Sequence, residues 1–420
     1  MANNEFLDAT EYSKVFLLLL KNTLSAGRLV TGEFKDEVTD ENGLTVNIKR
    51  PPLFVAQDGE ALQLQSVISG STPVKVDQYK NVHIDVGDLE YIESFNQLLE
   101  NETIKSAASE LAHTIDGSIH DILPEFASSV GTPGTTISTP QQFNKVHTRL
   151  MDQSVPNSSL NALVSYNDGE EIRGNLITTN IDKINRSALE RTRIPILSEI
   201  DLFATNNIRS IVAGTRVDGL VNGAGQNVNY RDVKETNVQT LILESVGISA
   251  TIKKGDSFTI AGVFAVNSRS RQPLTFLKQF VVVADVAADA SEDVVVTISP
   301  PIIVGGTSDG VGASPTLVNT AFQTVSAIPA NDAVVTWTTV AGAITPIRAA
   351  FHKRAISLVS ARLITPFSDT SSFMSDPETG IGIRYWRGSD ITTGRHIHRW
   401  DVVYGVQMIQ QELGSRVNGT

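Results

Sequence analysis

The sequence predicts an α+β chain in which an all-β domain is inserted into helix-and-strand text. Three observations carry that reading. Ile104, Ala108, Leu111, Ile115, Ile119, Ile122 and Phe126 recur at spacings of three and four, which is one face of a long helix. From Ala224 to Ile344 helical signals nearly vanish, and short strands recur between Gly, Asp and Pro turns, as in a barrel or sandwich. Ile383 to Gly405, IRYWRGSDITTGRHIHRWDVVYG, alternates like strands with one buried and one polar face, and holds two of the three tryptophans, Trp386 and Trp400.

The first segment reads as an amphipathic helix, capped by Asp8 with Glu11 three residues later and left at Gly27. From Val30 to Gly87 the chain is extended: Val46 and Ile48, Leu62 and Leu64, Val74 and Val76, and Val82, Ile84 and Val86 alternate. Asp58-Gly59, Gly70 and Pro73 interrupt them. So long a stretch with little dense apolar clustering predicts a protruding β-loop. With Asp88 as a cap, helical chain begins near Leu89 and pauses around Asn101. The stretch from Glu102 to Leu123 then spans ~33 Å at 1.5 Å per residue. Thr139-Pro140 with Gln142 forms a capping box with proline at the first helical position. Leu160 to Tyr166 reads as a buried strand and Asn167-Asp168-Gly169 as a turn, inside an α/β region that extends to about Asn222. The β block contributes strands at Thr240 to Leu243, Ser257 to Val266, Phe280 to Val283, Val294 to Ile298 and Val334 to Thr338. In the second of these, Phe258, Ile260, Phe264 and Val266 fall on one face. From Thr345 helix-and-strand text returns, with Ile356, Leu358, Val359 and Leu363 leading to Pro366. Ser389-Asp390 and Thr393-Gly394 supply turns in the closing segment. No internal repeat and no low-complexity tract interrupts this order.

Composition narrows the function. The 420 residues are 41% hydrophobic and 19% charged, which is a folded chain with ample length for sizeable cores. A formal charge of −12 argues against coating DNA by phosphate neutralisation, which needs clustered Lys and Arg. An acidic wall around enclosed nucleic acid is a different case, because the polymer slides instead of sticking. The β block carries seven Lys or Arg against ten Asp or Glu, which disfavours an oligonucleotide-binding barrel. The absence of cysteine excludes disulfides, thiol nucleophiles and Cys-ligated zinc. The N-terminus lacks a basic n-region, and Val15 to Leu20 is far short of the ~20 apolar residues that span a bilayer. The expectation is an intracellular protein without a membrane partner.

No H-E-x-x-H, G-x-S-x-G, Walker or EF-hand motif occurs. Gly223-Ala224-Gly225 begins like a dinucleotide fingerprint, but Val228 takes the place of the third glycine and strand-like text follows. Gly305-Gly306 to Gly310 and Gly312 lacks a P-loop lysine and reads as a surface loop. His396 and His398 share one strand face, yet a metal shell would need Asp390 or Asp401 to complete it, so a polar face or interface is the plainer reading. Arg384, Arg387, Arg395 and Arg399 read as interface arginines paired with carboxylates of neighbouring subunits. Lys49 and Lys75 read as solvated charges. No enzyme and no cofactor is expected.

Arg384-Tyr385-Trp386-Arg387, then Asp390-Ile391, then Arg399 with Tyr404-Gly405 resembles the closing segment of the coat proteins of short-tailed Salmonella-type phages. A second match stands upstream: Lys253-Lys254-Gly255-Asp256, followed by Phe258, Ile260 and Ala261-Gly262-Val263, is similar to that family's Lys-Arg-Gly-Asp turn and Ala-Gly-Val strand. Ser389 departs from the aromatic that many relatives place before the Asp. The resemblance implies a tailed-phage (Johnson-type) major capsid fold with an inserted β-barrel domain. Its implied organisation is an N-terminal arm at 1–29, an extended β-loop at 30–87, a spine helix at 88–128 and an axial and peripheral α/β region at 129–223. The inserted barrel follows at 224–344, and the chain returns to the axial and peripheral domain at 345–420. It further implies a shell subunit that assembles as hexamers and pentamers around a scaffolding protein, with a portal at one vertex and packaged double-stranded DNA inside, made in the host bacterial cytoplasm and ending in the virion capsid. A β-rich adhesive, tail-fibre or carbohydrate-binding virion protein is the alternative, although it has no need of the long helix.

Overall fold

The structure, a computed structural model, describes residues 9–32, 44–60, 64–87, 102–178, 197–311, 314–365, 370–390, 392 and 394–419. Expectations placed on Asp8, Leu62, Asp88 to Asn101, Gly312, Pro366, Ile391 and Thr393 lie outside these residues. The chain divides into two compact units. The first joins Met1–Ile48, Pro73–His120 and Ile356–Gln407; the second joins Lys49–Thr72, Asp121–Ala355 and Met408–Thr420.

In the first unit helices α1 (Ala9–Thr23) and α2 (Glu102–His120) accompany a five-stranded sheet. The helical stripe is where the spacing put it as far as Ile119: Ile104, Ala108, Leu111, Ile115 and Ile119 are all buried. The helix ends at His120, so Ile122 and Phe126 flank a 3₁₀ turn beyond it. Asp116 lies on that face too, between Ala112 and Ile119. It accepts hydrogen bonds from Ser25 N, Ser25 Oγ and Gly27 N, each at 2.8 Å. Those bonds hold the single 3₁₀ turn Ala26–Arg28 that follows α1. Burial raises the Asp116 carboxyl above its ordinary range, and the three donors pull it back.

Two strands, β1 (Thr45–Lys49) and β2 (Ser71–Lys75), pair as a separate ribbon, and no strand is found among the described residues between them. Strand β3 (Gln78–Gly87), read from sequence as part of the loop, instead joins the sheet. It runs antiparallel to β21 (Arg395–Met408) from Gly87 opposite Arg395 to Gln78 opposite Tyr404. On its other side β21 pairs β20 (Gly382–Asp390), which pairs β19 (Ser371–Ser375), while β18 (Ile356–Ser360) also joins β21. Ser389 and Asp390 are therefore strand residues opposite His396 and Arg395, not a turn. One connection, ending at Gly394 with φ +62°, links the two strands.

The second unit holds a mixed sheet and a closed barrel. The sheet orders β4 (Ser129–Val130), β22 (Gly414–Val417), β17 (Ala349–His352), β5 (Leu160–Ser165) and β6 (Ile200–Thr205). Helices α3 (Gln141–Asp152) and α4 (Tyr166–Thr178) cover it, with Phe143, Val146, Leu150 and Ile172 packed on Leu160, Ala162 and Val164. Helix α3 begins one residue after Pro140, and the main-chain carbonyls of Thr139 and Pro140 accept its first N–H groups in place of the expected side-chain box. Asn167-Asp168-Gly169 is the first turn of α4, not a loop. Asp168 is fully buried; it accepts from Ser165 N and Ile137 N, and pairs with Arg348 at 2.5 Å. The expected helix after Thr345 is absent among the described residues. That stretch is strands and two 3₁₀ turns, because its apolar residues run in short β-branched clusters.

The barrel closes β11 (Ser257–Val266), β12 (Pro273–Val282), β14 (Val294–Ser299), β9 (Gln239–Glu244), β8 (Gly219–Val221) and β15 (Val334–Trp337) upon themselves. Phe258, Ile260, Phe280, Leu241, Leu243 and Val296 fill its interior. Two small pairs flank it: β7 (Ser210–Val212) with β16 (Ile344–Pro346), and β10 (Thr251–Ile252) with β13 (Val286–Ala287). Phe264 does not share the face of Phe258. Gly262, at φ +79°, marks a bulge where the β11–β12 register shifts, so Val263 turns inward and Phe264 outward, 40% exposed.

Strand β8 lies ahead of Ala224 and completes the barrel between β9 and β15. A fragment from Ala213 to Val340 is therefore expected to fold alone, β-rich with a cooperative melt. A fragment from Ala224 to Ile344 leaves two barrel edges unpaired and is expected to aggregate. Circular dichroism and amide NMR of the two fragments check this, and equal folding by both would contradict it.

Candidate functional site

The two sequence motifs build two polar clusters, one in each unit. In the second unit, Lys253 to Asp256 forms the turn that leads into β11. Gly255 has φ +92°, and a Cβ there would meet Pro124 at 3.1 Å and Ile211 at 3.2 Å, so both the backbone and the neighbours require glycine. Lys254 reaches Glu125 at 2.8 Å, and Lys253 reaches Asp285 at 2.9 Å. Both of these pairs are partly exposed and contribute little. Asp256 is fully buried. It accepts from Lys253 N at 2.9 Å and Gly214 N at 3.1 Å, and pairs with the equally buried Arg216 at 3.2 Å. Arg216 also donates to the Gly214 carbonyl and to Thr339, and lies over the Trp337 ring. From the C-terminal strand, Arg416 donates to Phe126 O at 2.8 Å and to Gly255 O at 2.9 Å. The turn is thus the joint at which the barrel meets the mixed sheet.

In the first unit the closing motif is an aromatic and ionic seam along β20 and β21. Tyr385 and Trp400 face α1, where Tyr12 stacks on Tyr385 at 5.1 Å and Phe16 on Trp400 at 4.7 Å. The sequence signal for this pairing was available, since Tyr12 and Phe16 are four apart on one helical face. On the opposite face Asp401, fully buried, receives Arg384 at 2.5 Å and Arg399 at 2.6 Å, and both guanidiniums also donate to the Tyr79 hydroxyl. Arg384 lies over Trp386. Arg395 pairs with Asp85. These three arginines find carboxylates within their own chain. Arg387 is half-buried, with its main-chain N–H on Thr370 O. Tyr404 shares a 2.8 Å hydrogen bond with Ser118 of α2. Gly405 is demanded by close approach, since a Cβ would lie 2.2 Å from the Lys75 carbonyl oxygen. Asp390 stands opposite Arg395 in the ladder, and Gly262 sits on the exposed bulge of the barrel. Asp116, Arg216, Arg348 and Arg416 were not singled out in the sequence, and Asp168 was read only as a turn residue. Only Asp116 carried a signal, as a carboxylate on an apolar stripe.

His398 is buried, with Nδ1 2.6 Å from the Tyr385 hydroxyl. Burial, then the charges of Arg387 and His396, lower it from 6.5 to about 4. The neutral ring shares that hydrogen bond with the tyrosine hydroxyl. An unfolded His398 binds a proton near pH 6.5 and the folded one only near pH 4, so its contribution is whole above pH 6.5 and is lost as pH falls towards 4. The loss amounts to about 3 kcal/mol by pH 4. Urea melts at pH 7 and pH 5 are expected to show a larger loss for the native chain than for His398→Gln; equal losses would contradict this. His396 is only half-buried. Among the described residues no group of three or more His, Cys, Asp or Glu is placed to hold a metal ion, and no helix is long and apolar enough to cross a membrane.

The sequence pattern of the family described as P22 coat protein, gene protein 5, matches residues 19–419. The resemblance carried by the two motifs is thereby borne out. Among solved structures the chain is similar to one from Mycobacterium phage Che8 (TM-score 0.46, 12% identity, covering 100% of this chain and 96% of that one). It is also similar to the capsid structure of the cyanophage P-SCSP1u (TM-score 0.43, 8% identity, 90% and 84%) and to the CUS-3 coat protein I-domain (TM-score 0.21, 22% identity, 29% and 93%). No curated protein matches the chain.

Proposed function

We propose, from the premise that the chain belongs to the P22 coat protein family, that its copies join as hexamers and pentamers around a scaffolding protein. As a member of that family it is a major capsid protein, structural and not enzymatic, and forms the icosahedral shell of a tailed-phage virion. The proposal extends to a portal at one vertex, and to double-stranded DNA held against an inner face without sequence-specific contacts, in keeping with the charge of −12. Synthesis is assigned to the host bacterial cytoplasm.

The match over residues 19–419 carries the reading. A second observation supports contacts between copies. Leu44, Leu53, Phe54, Leu64 and Val67, on the described stretches 44–60 and 64–87, are each between 38% and 72% exposed. Apolar side chains displayed in that way call for cover by neighbours. We accordingly assign 1–29 as arm, 30–77 as loop with β3 returned to the sheet, the helix Glu102–His120 as spine, and 224–344 as insertion, the last drawing β8 from just before it. Residues 129–223 and 345–420 then form the axial and peripheral region. Trp386, Arg387 and Gly262 keep accessible surface and are assigned to contacts between subunits; Gly255, Asp256, Tyr385, Tyr404 and Gly405 act within the subunit. Expressed with its scaffold, the protein is expected to sediment as uniform closed particles, visible by negative-stain microscopy. A monodisperse monomer at high concentration with scaffold present would overturn the proposal.

A further inference from the structure

We propose that one flank of the inserted barrel is a cradle for the segment Lys49–Thr72 of the same chain, and presents the apolar side chains of that segment in a fixed register to a second copy. This deepens the assembly reading above and rests on it. Three connections of the barrel build the flank. Between β8 and β9 runs a short helix, α5 (Tyr230–Val233), followed by Lys234. Between β14 and β15 lie Ile303 and a second short helix, α6 (Leu317–Ala321), and Arg271 stands in the turn from β11 to β12. Ile68, 9% exposed, packs among Tyr230, Val233, Ile303 and Val318. The Tyr230 ring stacks on Phe322 at 3.6 Å beneath it. Gly70 approaches so closely that a Cβ would lie 2.2 Å from the Lys234 carbonyl oxygen and 2.9 Å from the Tyr230 hydroxyl. Arg50 donates to that same carbonyl through Nη2. Its main-chain N–H donates to Gly70 O at 2.7 Å, which ties the two ends of the segment together.

Farther along, Arg271 donates to Phe54 O at 2.7 Å and to Thr320 O at 3.2 Å, and so bridges the segment to the barrel. Arg271 holds φ +56°, a strained conformation for a residue with a side chain. Gln65 clasps the facing arm, accepting from Val55 N at 2.9 Å and donating to Val55 O at 2.5 Å. Among the described residues of the segment beyond β1 and before β2 there is no strand, so these contacts order the backbone in place of a ladder. Held and displayed positions interleave. Phe54 is held by its carbonyl while its ring is 51% exposed, and Val67, 72% exposed, precedes the buried Ile68. An apolar strip that orders only on contact loses conformational entropy at that moment, whereas a strip ordered beforehand does not. A second copy is the partner that fits, because a shell of one chain repeats one contact and a preset strip suits a surface of one fixed shape.

Hydrogen exchange of the full chain, purified without scaffold, tests the cradle apart from assembly. Amides of residues 50–60 and 64–72 are expected to be protected in the native chain, and to exchange about tenfold faster or more in Ile68→Ser and in Arg271→Gly. Arg271→Gly removes the guanidinium and relieves the positive φ, so the barrel stays folded; the amides of β9, β11 and β14 read that control. With scaffold at equal concentration, both variants are expected to form closed particles about tenfold more slowly than the native chain. Unprotected segment amides in the native chain, or native exchange in both variants, overturn the cradle. A loosened segment with a native assembly rate overturns its part in the contact with a second copy. A native chain that never assembles with scaffold overturns the assembly reading instead, while the exchange rates still decide the cradle.

Discussion

Replacing Ile115 by proline is expected to abolish soluble subunit. Ile115 is fully buried in the middle of α2. Proline there removes one main-chain donor and forces its ring against the preceding turn, which costs about 3 kcal/mol or more. The next residue, Asp116, anchors Ser25 and Gly27 through three hydrogen bonds, so a kink at 115 also displaces the turn that follows α1. Ile115→Val is the control, with an expected cost of about 1 kcal/mol for the lost methylene. Soluble yield and urea midpoint of the two variants read the difference. A proline variant with native yield and midpoint would show that no continuous helix is needed there.

Asp256→Ala is expected to have an effect as large, in the other unit. Removing one partner of a buried ion pair leaves the other charge uncompensated, at a cost of about 3–5 kcal/mol. Here it strands Arg216 between the Gly214 carbonyl and Thr339, and it also frees the N–H groups of Lys253 and Gly214. The turn around Gly255 then loses the acceptor that closes it. Asp256→Leu combined with Arg216→Met removes both charges together and is expected to recover part of the loss. Urea denaturation of the full chain measures both variants, and an alanine variant with the native midpoint would sink the idea of a charged joint.

Several elements were legible without any tertiary knowledge, and for local reasons. The α2 stripe repeats with the helical period, so its buried residues follow from spacing alone. Strand β11 lies between a Lys-Gly-Asp turn and a polar loop, which set both of its ends. Gly255 was legible as a turn glycine, although the approach of Pro124 and Ile211 was not.

What the sequence determined by itself was therefore the type of each long periodic element, the presence of an all-β block within α/β text, and, through two short motifs, the family. Tertiary structure alone decided which elements pair and which charges meet. Strand β3 reads like the rest of the extended loop, yet it pairs residue for residue with the first ten positions of β21, because a central strand needs both of its edges hydrogen-bonded. Asp168 sits in a Gly- and Asn-containing triplet that favours a turn, but its pairing with Arg348 and its bonds to Ile137 and Ser165 fix it as the start of a helix. Gly262 moves Phe264 out of the barrel through a bulge that strict alternation does not contain. Gly255 and Arg416, 161 residues apart, meet because barrel closure and the last strand of the sheet bring them together. Periodicity is a local property of the chain, whereas hydrogen-bond closure and the compensation of buried charge are properties of the whole fold.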